Sequence, residues 1–347
     1  MNEATQAKGW VGFLKKKNIE ISFKRYGIDA LGSMALGLFS SLIVGSILKK
    51  IGTILNVQFL IDFSGIAMSM TGAAIGVAVA HGLKAPPLVM FTSAITGAFG
   101  NELGGPVGAF VAAVIGAEFG KLVAGETKVD IVVVPVVTII AGCLAGKFVG
   151  PGVAFAMEWI GSVINHATEL NPIPMGILVS VLMGMALTAP ISSAAIAISL
   201  GLTGLAGGAA TVGCSTQMVG FAVASYKENG VGGLIAQGLG TSMLQVPNIM
   251  RKPIIWLPPT ITSAILGPLA TTVFSMKNVP EGAGMGTSGL VGQFGTWAAM
   301  AGTESAASIL LKMGFLHFIL PAVITFAIAQ WMRKAGLIAD GDMKLNI

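Results

Sequence analysis

The stretch "TGAFGNELGGPVGAF", residues 96–110, interrupts an apolar sequence with an amide, a carboxylate and several glycines. In hydrocarbon, backbone must satisfy its own hydrogen bonds, so a helix broken at membrane depth is tolerated only inside protein or along a cavity. Asn101 and Glu102 supply donors and acceptors suited to hydroxyl groups. The stretch therefore predicts a half-helix terminus that faces a solvated cavity. The alternative is an ordinary polar loop outside the bilayer.

The composition predicts that the surrounding solvent is lipid. The chain has 347 residues, of which 54% are hydrophobic and 10% charged, and its mean hydropathy is +0.84. A soluble domain is roughly 25% charged. The 48 glycines match the close helix packing of membrane proteins, where small residues form the interfaces. We predict an all-α polytopic membrane protein.

Residues 1–26 are rich in lysine and contain interleaved apolar side chains. They lack the short apolar core and cleavage site of a secretory signal peptide, so we expect no cleavage. The pattern predicts a short amphipathic helix on the inner membrane surface, with the N-terminus in the cytoplasm. The net charge of +5 then indicates lipid head groups as the partner, and no nucleic acid.

Apolar runs predict ten or eleven transmembrane or re-entrant helices, several of them broken by glycine or proline. The clear segments are 28–48, 58–83, 85–100, 104–124, 130–149, 174–201, 203–225, 230–249, 254–275 and 313–333; 151–168 is weak, and 281–305 is a glycine-rich stretch. The segment 85–100 either crosses the membrane or dips in and returns.

The chain also resembles itself. "FSSLIVGSILKKIGTI" (39–54) aligns with "FAMEWIGSVINHATEL" (155–170), and two further pairs follow in the same order with a growing offset. We therefore predict two membrane repeats, 27–146 and 147–275, followed by a glycine-rich re-entrant segment and a last helix in 276–347. Five crossings in each half make the repeats inverted, whereas an even number makes them parallel.

Two further polar clusters accompany glycines. In the repeat register, Thr216 and Gln217 fall opposite Thr92 and Ser93, which indicates a polar site between the repeats. Hydrogen bonds between helices are the alternative explanation.

The third cluster is "GAGMGTSGLVGQFGTWAAMAG" (282–302), which is too rich in glycine for a stable lipid-facing helix. It predicts a re-entrant loop with Thr287, Ser288 and Gln293 pointing inward. A flexible loop outside the membrane is the alternative.

Few ionisable residues fall in the apolar runs. Glu118 lies one helical turn from Lys121, and we predict that the two pair. Glu118 and His81, which is near a span end, are also candidate proton-sensitive groups. His317 and Asp62 are explained by packing or snorkelling. Cys143 and Cys214 are predicted to be packed thiols. The sequence has no catalytic motif, no metal-ligand spacing and no cofactor motif.

The strings "SGIAMSMTGAAIGVAVAHGLKAPPLVMFTSAITGAFGNELGGPVGAF" (64–110) and "GTSGLVGQFGTW" (286–297) resemble bacterial membrane proteins of the phosphotransferase-system EIIC-like family, a group that includes perfringolysin O regulator-like proteins. The resemblance covers nearly the whole chain. It implies sugar uptake across the bacterial cytoplasmic membrane, a homodimer, and separate IIA and IIB proteins. The chain lacks the "GITEP"-like loop of the glucose type; "GNELGGP" (100–106) is nearest and would match Glu102 to that loop's glutamate.

The sequence thus predicts a transporter of a small polar solute, with the named amide, hydroxyl and carboxylate side chains along the solute path. Two alternatives are open. One is a membrane sensor that binds a ligand or lipid without transport. The other is an ion-coupled carrier that works without phosphotransferase partners.

Overall fold

The fold is known from a computed structural model, which describes residues 10–168, 170–189, 191 and 193–345. It is 82% helical and forms no β-strand among the described residues, which confirms the all-α class. In chain order the helices are α1 (Trp10–Lys16), α2 (Arg25–Thr53), α3 (Gln58–Ser69), α4 (Thr71–Gly82), α5 (Pro87–Val123), α6 (Asp130–Thr168), α7 (Pro172–Thr188), α8 (Ser193–Ser199), α9 (Gly204–Ala224), α10 (Tyr226–Ile235), α11 (Val246–Arg251), α12 (Pro253–Val273), α13 (Pro280–Ala283), α14 (Val291–Met300) and α15 (Ala306–Lys334).

Five of these helices are long and apolar enough to cross a membrane, namely α2, α5, α6 over Asp130–Ala156, α12 and α15. The pair α3 and α4 makes a sixth if the two form one broken span. The chain is therefore a multi-pass membrane protein. The higher number of membrane elements expected from the sequence includes re-entrant and broken segments and stays a prediction.

Three spans predicted as continuous helices are broken. The 58–83 span is interrupted at Met70, and the 230–249 span becomes α10, short π and 3₁₀ turns, and α11. The 174–201 span stops at Thr188, where Ala189 is extended (ψ 160°). Pro190 follows in the sequence, and a residue before proline disfavours the helical conformation.

One predicted break is absent. Segments 130–149 and 151–168 were expected as separate elements, but α6 continues through Pro151. A proline is tolerated within a membrane helix when neighbouring helices support the freed backbone groups. Around this proline, a Cβ on Gly150 would lie 2.8 Å from the Cβ of Leu103, so α6 and α5 are in close contact there.

The chain divides into two compact units by its contacts. Unit 1 comprises Met1–Leu42 and Ala67–Phe155, and unit 2 comprises Ile43–Ile66 and Ala156–Ile347. The predicted repeat boundary at 146/147 lies inside α6, and the internal duplication stays a prediction.

In unit 1, α5 is a helical hairpin. Gly104 (φ −148°, ψ 22°) and Gly105 (φ 59°, ψ −154°) leave the helical region, and the left-handed φ of Gly105 is one that glycine adopts without strain. The two limbs then run antiparallel, because a Cβ on Gly100 would overlap the carbonyl oxygen of Gly108 and one on Gly120 would lie 3.0 Å from Val89. Each limb has about 17–18 residues and is about 26 Å long.

Small residues also pack α4 against the first limb of this hairpin. A Cβ on Gly76 would overlap the carbonyl oxygen of Ser93, and a Cβ on Gly97 would overlap that of Gly72. These backbones touch with no side chain between them, as is typical of helix interfaces in lipid.

In unit 2, α9 is the central helix, and its residues from Gly207 to Phe221 are all buried. It touches α7 directly, since a Cβ on Gly213 would overlap the carbonyl oxygen of Ser180. The free thiol of Cys214 is fully buried in the apolar cluster with Met183 and Met218. The other free cysteine, Cys143, is half-buried in unit 1.

The segment that follows α15 is held by amide side chains of unit 2. Gln245 Nε2 donates to the carbonyl oxygen of Met343 at 3.0 Å, and Asn248 Nδ2 donates to that of Lys344 at 2.9 Å. Asn229 donates to Met343 and accepts from the amide of Leu345 at 2.8 Å. These side chains satisfy a peptide segment that contributes no helix of its own.

Candidate functional site

The polar pair of the opening stretch lies at the turn of the α5 hairpin. Asn101 and Glu102 are near the end of the first limb, directly before the two non-helical glycines. Asn101 is half-buried, and its Cβ would lie 2.6 Å from a Cβ on Gly72, so it packs against the start of α4. Glu102 is exposed. The hairpin thus presents a carboxylate at its tip and fixes the amide beside it.

Thr92 and Ser93 lie nearer the start of the same limb and are buried. Their hydroxyls donate to the carbonyl oxygens of Leu88 and Val89, each at 2.8 Å. Both side chains are therefore satisfied within their own helix, and Ser93 lies at the tight contact with α4. Their predicted role in solute binding stays a prediction.

His81 lines a groove of about 680 Å³ in unit 1. The groove lies between α2, α4 and the first limb of α5, and its walls are mostly apolar, with Ser33 and Ser40 as further polar groups. His81 is exposed near the end of α4.

Glu118 forms the predicted pair with Lys121, with 2.9 Å between the carboxylate oxygen and Nζ. Lys121 is fully buried and its Nζ also donates to the carbonyl oxygen of Leu83 at 3.1 Å. Arg25 donates to the same carbonyl oxygen. The two cations thus bind the C-terminal end of α4, where the helix dipole favours positive charge.

A second cationic feature lies nearby in unit 1, where Lys16, Lys17, Lys84 and Lys121 line a cavity of about 340 Å³ together with Glu126. Lys17 pairs with Glu126 at 2.5 Å and also donates to the carbonyl oxygen of Ala124. The hydrogen bond and charge of Lys17 lower the pKa of the Glu126 carboxyl. This contact ties the segment after α1 to the end of α5.

In unit 2, Gln217 is the centre of a hydrogen-bond network. Its Oε1 accepts from Trp256 Nε1 at 3.0 Å and from the Thr188 hydroxyl at 3.2 Å. Its Nε2 donates to the Thr260 hydroxyl at 3.2 Å, and Thr188 is 2.8 Å from the Ser242 hydroxyl. The fully buried amide therefore joins α7, α9 and α12. The neighbouring Thr216 donates to Val212 in its own helix.

The glycine-rich segment between α13 and α14 turns its polar side chains inward. Thr287 is fully buried, Ser288 is 3% exposed and Gln293 is 8% exposed. Thr287 donates to the carbonyl oxygen of Gly238 at 2.5 Å. This burial agrees with the inward arrangement expected of a re-entrant loop and not with a flexible loop in water.

The backbone of that segment is unusual. Gly286, Gly289 and Leu290 all have left-handed φ values, of 53°, 52° and 60°. For leucine this conformation costs about 1–2 kcal/mol, and strained backbone of this kind tends to persist at functional sites.

Several buried polar atoms of unit 2 have no hydrogen-bond partner among the described residues. They are Ser215 Oγ, Glu228 Oε2, Ser288 Oγ, Gln293 Oε1 and His317 Nε2. Each such atom costs about 1–3 kcal/mol when it stays unsatisfied. The other side of the histidine is used, because Gln293 Nε2 lies 3.0 Å from His317 Nδ1.

Sequence reasoning assigned His317 to packing near a span end, but the structure places it fully buried well inside α15. It also missed Asn278, whose amide lies within hydrogen-bond distance of Thr211, the Gly292 carbonyl oxygen and Thr296. No local signal marks either residue, because the partners of each lie on other segments. Among the described residues, no three His, Cys, Asp or Glu side chains come together as a metal site.

Comparison with known proteins gives one finding. A family model described as "Phosphotransferase system, EIIC" matches residues 28–345. The search of curated proteins and the search of solved structures each gave no match.

Proposed function

Because the chain belongs to the phosphotransferase-system EIIC family, and is thereby a membrane component of sugar uptake, we propose that it is the permease that carries a sugar or sugar-like solute for separate IIA and IIB proteins. The observation that carries the proposal is the match over residues 28–345, which includes every span-length helix except the first residues of α2. The polar, glycine-broken segments supply the groups that a solute with many hydroxyls requires.

The α5 hairpin supports this role. Its tip exposes a carboxylate, and carboxylates accept strong hydrogen bonds from hydroxyl groups. The tip is held rigidly, since its limbs touch through the backbones of Gly100 and Gly108. We assign Glu102 and Asn101 to solute binding at this tip, and Thr92 and Ser93 to the helix packing that supports it.

The cations of unit 1 support an orientation. The first and last residues of α5 lie at the same end of unit 1, and this end also carries Lys16, Lys17 and Lys84. Loops rich in lysine favour the cytoplasmic side of the membrane. We therefore place the N-terminal helix at the cytoplasmic face of a bacterial plasma membrane. Limbs of about 26 Å then bring the hairpin tip close to the far side of a hydrocarbon core about 30 Å thick.

The function is tested by uptake into membrane vesicles that hold this chain, with and without its candidate IIA and IIB proteins. We expect labelled D-glucose, D-mannitol or D-galactitol to accumulate as the phosphate ester when phosphoenolpyruvate is supplied. Accumulation driven by proton motive force alone would identify an ion-coupled carrier instead. Binding without accumulation would identify a sensor.

The assignment of the hairpin tip is tested separately with Glu102→Gln. We expect the KM for the accumulated sugar to rise at least about tenfold, since a hydrogen bond to a charged group is worth about 1.5–3 kcal/mol. The matched control is Glu20→Gln, which changes an equally exposed carboxylate outside the hairpin. Equal KM values in the two variants remove Glu102 from the site.

A further inference from the structure

Four of the five unpartnered polar atoms in the described part of unit 2 belong to side chains in or beside the glycine-rich segment, and the fifth is Glu228 Oε2. We call these four side chains the polar cluster, which consists of Ser215, Ser288, Gln293 and His317. A Cβ on Gly286 would lie 2.8 Å from the backbone nitrogen of Ser215, and one on Gly292 would lie 2.9 Å from Thr211. Thr211 and Ser215 are four residues apart on α9 and therefore share the face that meets this segment.

The remaining two members join the cluster through one contact. Gln293 directly follows Gly292, and its amide nitrogen reaches the Nδ1 atom of His317. The segment from Gly286 to Gln293 thus contacts α9 and, through Gln293, the histidine of α15. All members are at least nine-tenths buried.

The unpartnered state of the two serines is not the rule in this bundle. Most other buried hydroxyls, such as those of Thr216 and Ser225, donate to a carbonyl oxygen three or four residues earlier in their own helix. Ser215 lies on the same kind of helix without such a bond among the described residues. Buried polar atoms are normally satisfied, so atoms left open together indicate a partner from outside the chain.

The glutamine and histidine define the chemistry of that partner. If the Gln293 amide donates to Nδ1, His317 keeps an N–H at Nε2 and the glutamine keeps a carbonyl oxygen. If the Gln293 amide is flipped, its oxygen accepts from Nδ1–H, so His317 keeps an open acceptor at Nε2 and the glutamine keeps an open N–H donor. In both cases one donor and one acceptor stay open, which is the complement of a hydroxyl group.

We propose that the polar cluster binds a hydroxyl group of the neutral, unphosphorylated sugar. This inference rests on the proposed function and adds a specificity to it. No lysine or arginine belongs to the cluster, so it offers no charge for a phosphate ester. The left-handed backbone at Gly286, Gly289 and Leu290 holds the segment in the shape that leaves these atoms open.

Access from water is tested by thiol labelling. In a Cys143→Ala background, Ser215→Cys is treated with aminoethyl methanethiosulfonate, and native Cys214, the adjacent residue in the apolar cluster, is the matched control. We expect the cysteine at 215 to react and Cys214 to stay unlabelled. The sugar that accumulates in vesicles should slow the labelling. If the cysteine at 215 is not labelled, the proposal is overturned. If it is labelled at a rate that the sugar does not change, the proposal is also overturned, and the site binds only water.

Specificity is tested with deoxy sugars. The wild-type protein should take up the deoxy analogue that lacks the bound hydroxyl at least about tenfold less well than the parent sugar. Gln293→Leu should abolish that discrimination, Gln293→Asn should retain part of it, and Gln330→Leu, a glutamine on α15 outside the cluster, should leave it intact. If the wild-type protein accumulates the sugar and Gln293→Leu still discriminates against the deoxy analogue, the polar cluster is not the binding site, but the proposed function stands. A wild-type protein that accumulates no sugar overturns the proposed function, and the sugar assignment with it.

Discussion

The helical hairpin depends on backbone contact between its limbs, and Gly100→Ala tests this directly. The added methyl group would overlap the carbonyl oxygen of Gly108 and lie 2.7 Å from the Cβ of Ala112. Neither neighbour is the end of a flexible side chain. The limbs must therefore separate to accept the change.

The size of the effect follows from two opposing contributions. Overpacking a close contact costs about 1–3 kcal/mol. Alanine recovers up to about 1 kcal/mol because it favours a helix more than glycine does. Because neither neighbour can rotate away, the overpacking cost lies in the upper part of its range, at about 2–3 kcal/mol. The net loss in the free energy of unfolding is then about 1–2 kcal/mol, which corresponds to a fall in melting temperature of roughly 2–6 °C.

The melting temperature is measured on purified protein in detergent by the exposure of buried thiols. Gly152→Ala is the matched control, because a Cβ at this helical position in unit 1 would have no atom within 4 Å apart from the backbone of its own helix and its chain neighbours. This control should be neutral or slightly stabilising. A Gly100→Ala protein as stable as Gly152→Ala would refute the tight hairpin, and with it the rigid presentation of the tip.

Three further predictions concern polar contacts outside the hairpin. Lys312 binds the Glu304 carboxylate at 2.7 Å, and its hydrogen bond lowers the pKa of that carboxyl in the folded protein. The pair therefore stabilises the fold at pH values above the unfolded pKa near 4.5, and this stabilisation is lost as the pH falls through the lower folded pKa. The melting temperatures of wild type and Glu304→Gln should therefore converge in acid. Gln217→Leu leaves Trp256 Nε1 without its acceptor, while the Thr188 hydroxyl keeps Gly184 and Ser242 as partners, and the change should cost about 1–3 kcal/mol in thermal melts. Arg333→Met leaves the buried Glu228 unpaired and should cost about 3–5 kcal/mol in detergent unfolding, with partial recovery in Arg333→Met/Glu228→Met.

Each of these changes has a control of the same chemistry. Glu281→Gln alters an exposed carboxylate and should leave the acid dependence intact, Gln330→Leu alters a glutamine outside the network, and Arg251→Met removes an exposed cation. A constant difference between wild type and Glu304→Gln across pH would contradict the ion-pair argument. If Gln217→Leu or Arg333→Met loses no more stability than its control, the argument for that contact is contradicted.

The parts of the fold that sequence predicted well are those whose cause is local. The hairpin turn follows from Gly104, Gly105 and Pro106, since glycine and proline are the residues that most disfavour a helix interior. The pairing of Glu118 with Lys121 follows from their spacing of one helical turn. The membrane class follows from composition alone.

The parts that were missed depend on partners far apart in the chain. Gln217 meets Thr188, Trp256 and Thr260, which lie 29, 39 and 43 residues away. Their contacts arise only when three helices have packed, so the polar pattern of one helix does not distinguish a structural amide from a solute ligand. The same reason hides His317, whose partner Gln293 is 24 residues away.

The amide side chains that hold the segment after α15 have a consequence for biosynthesis. Gln245 and Asn248 bind backbone groups that the ribosome adds 98 and 96 residues later. Until those residues leave the exit tunnel, the two amides lack the carbonyl partners of the C-terminal segment and keep only their bonds to Gln237 and to each other. Packing at this end of unit 2 is therefore completed late in synthesis, and a premature stop before Met343 should destabilise it.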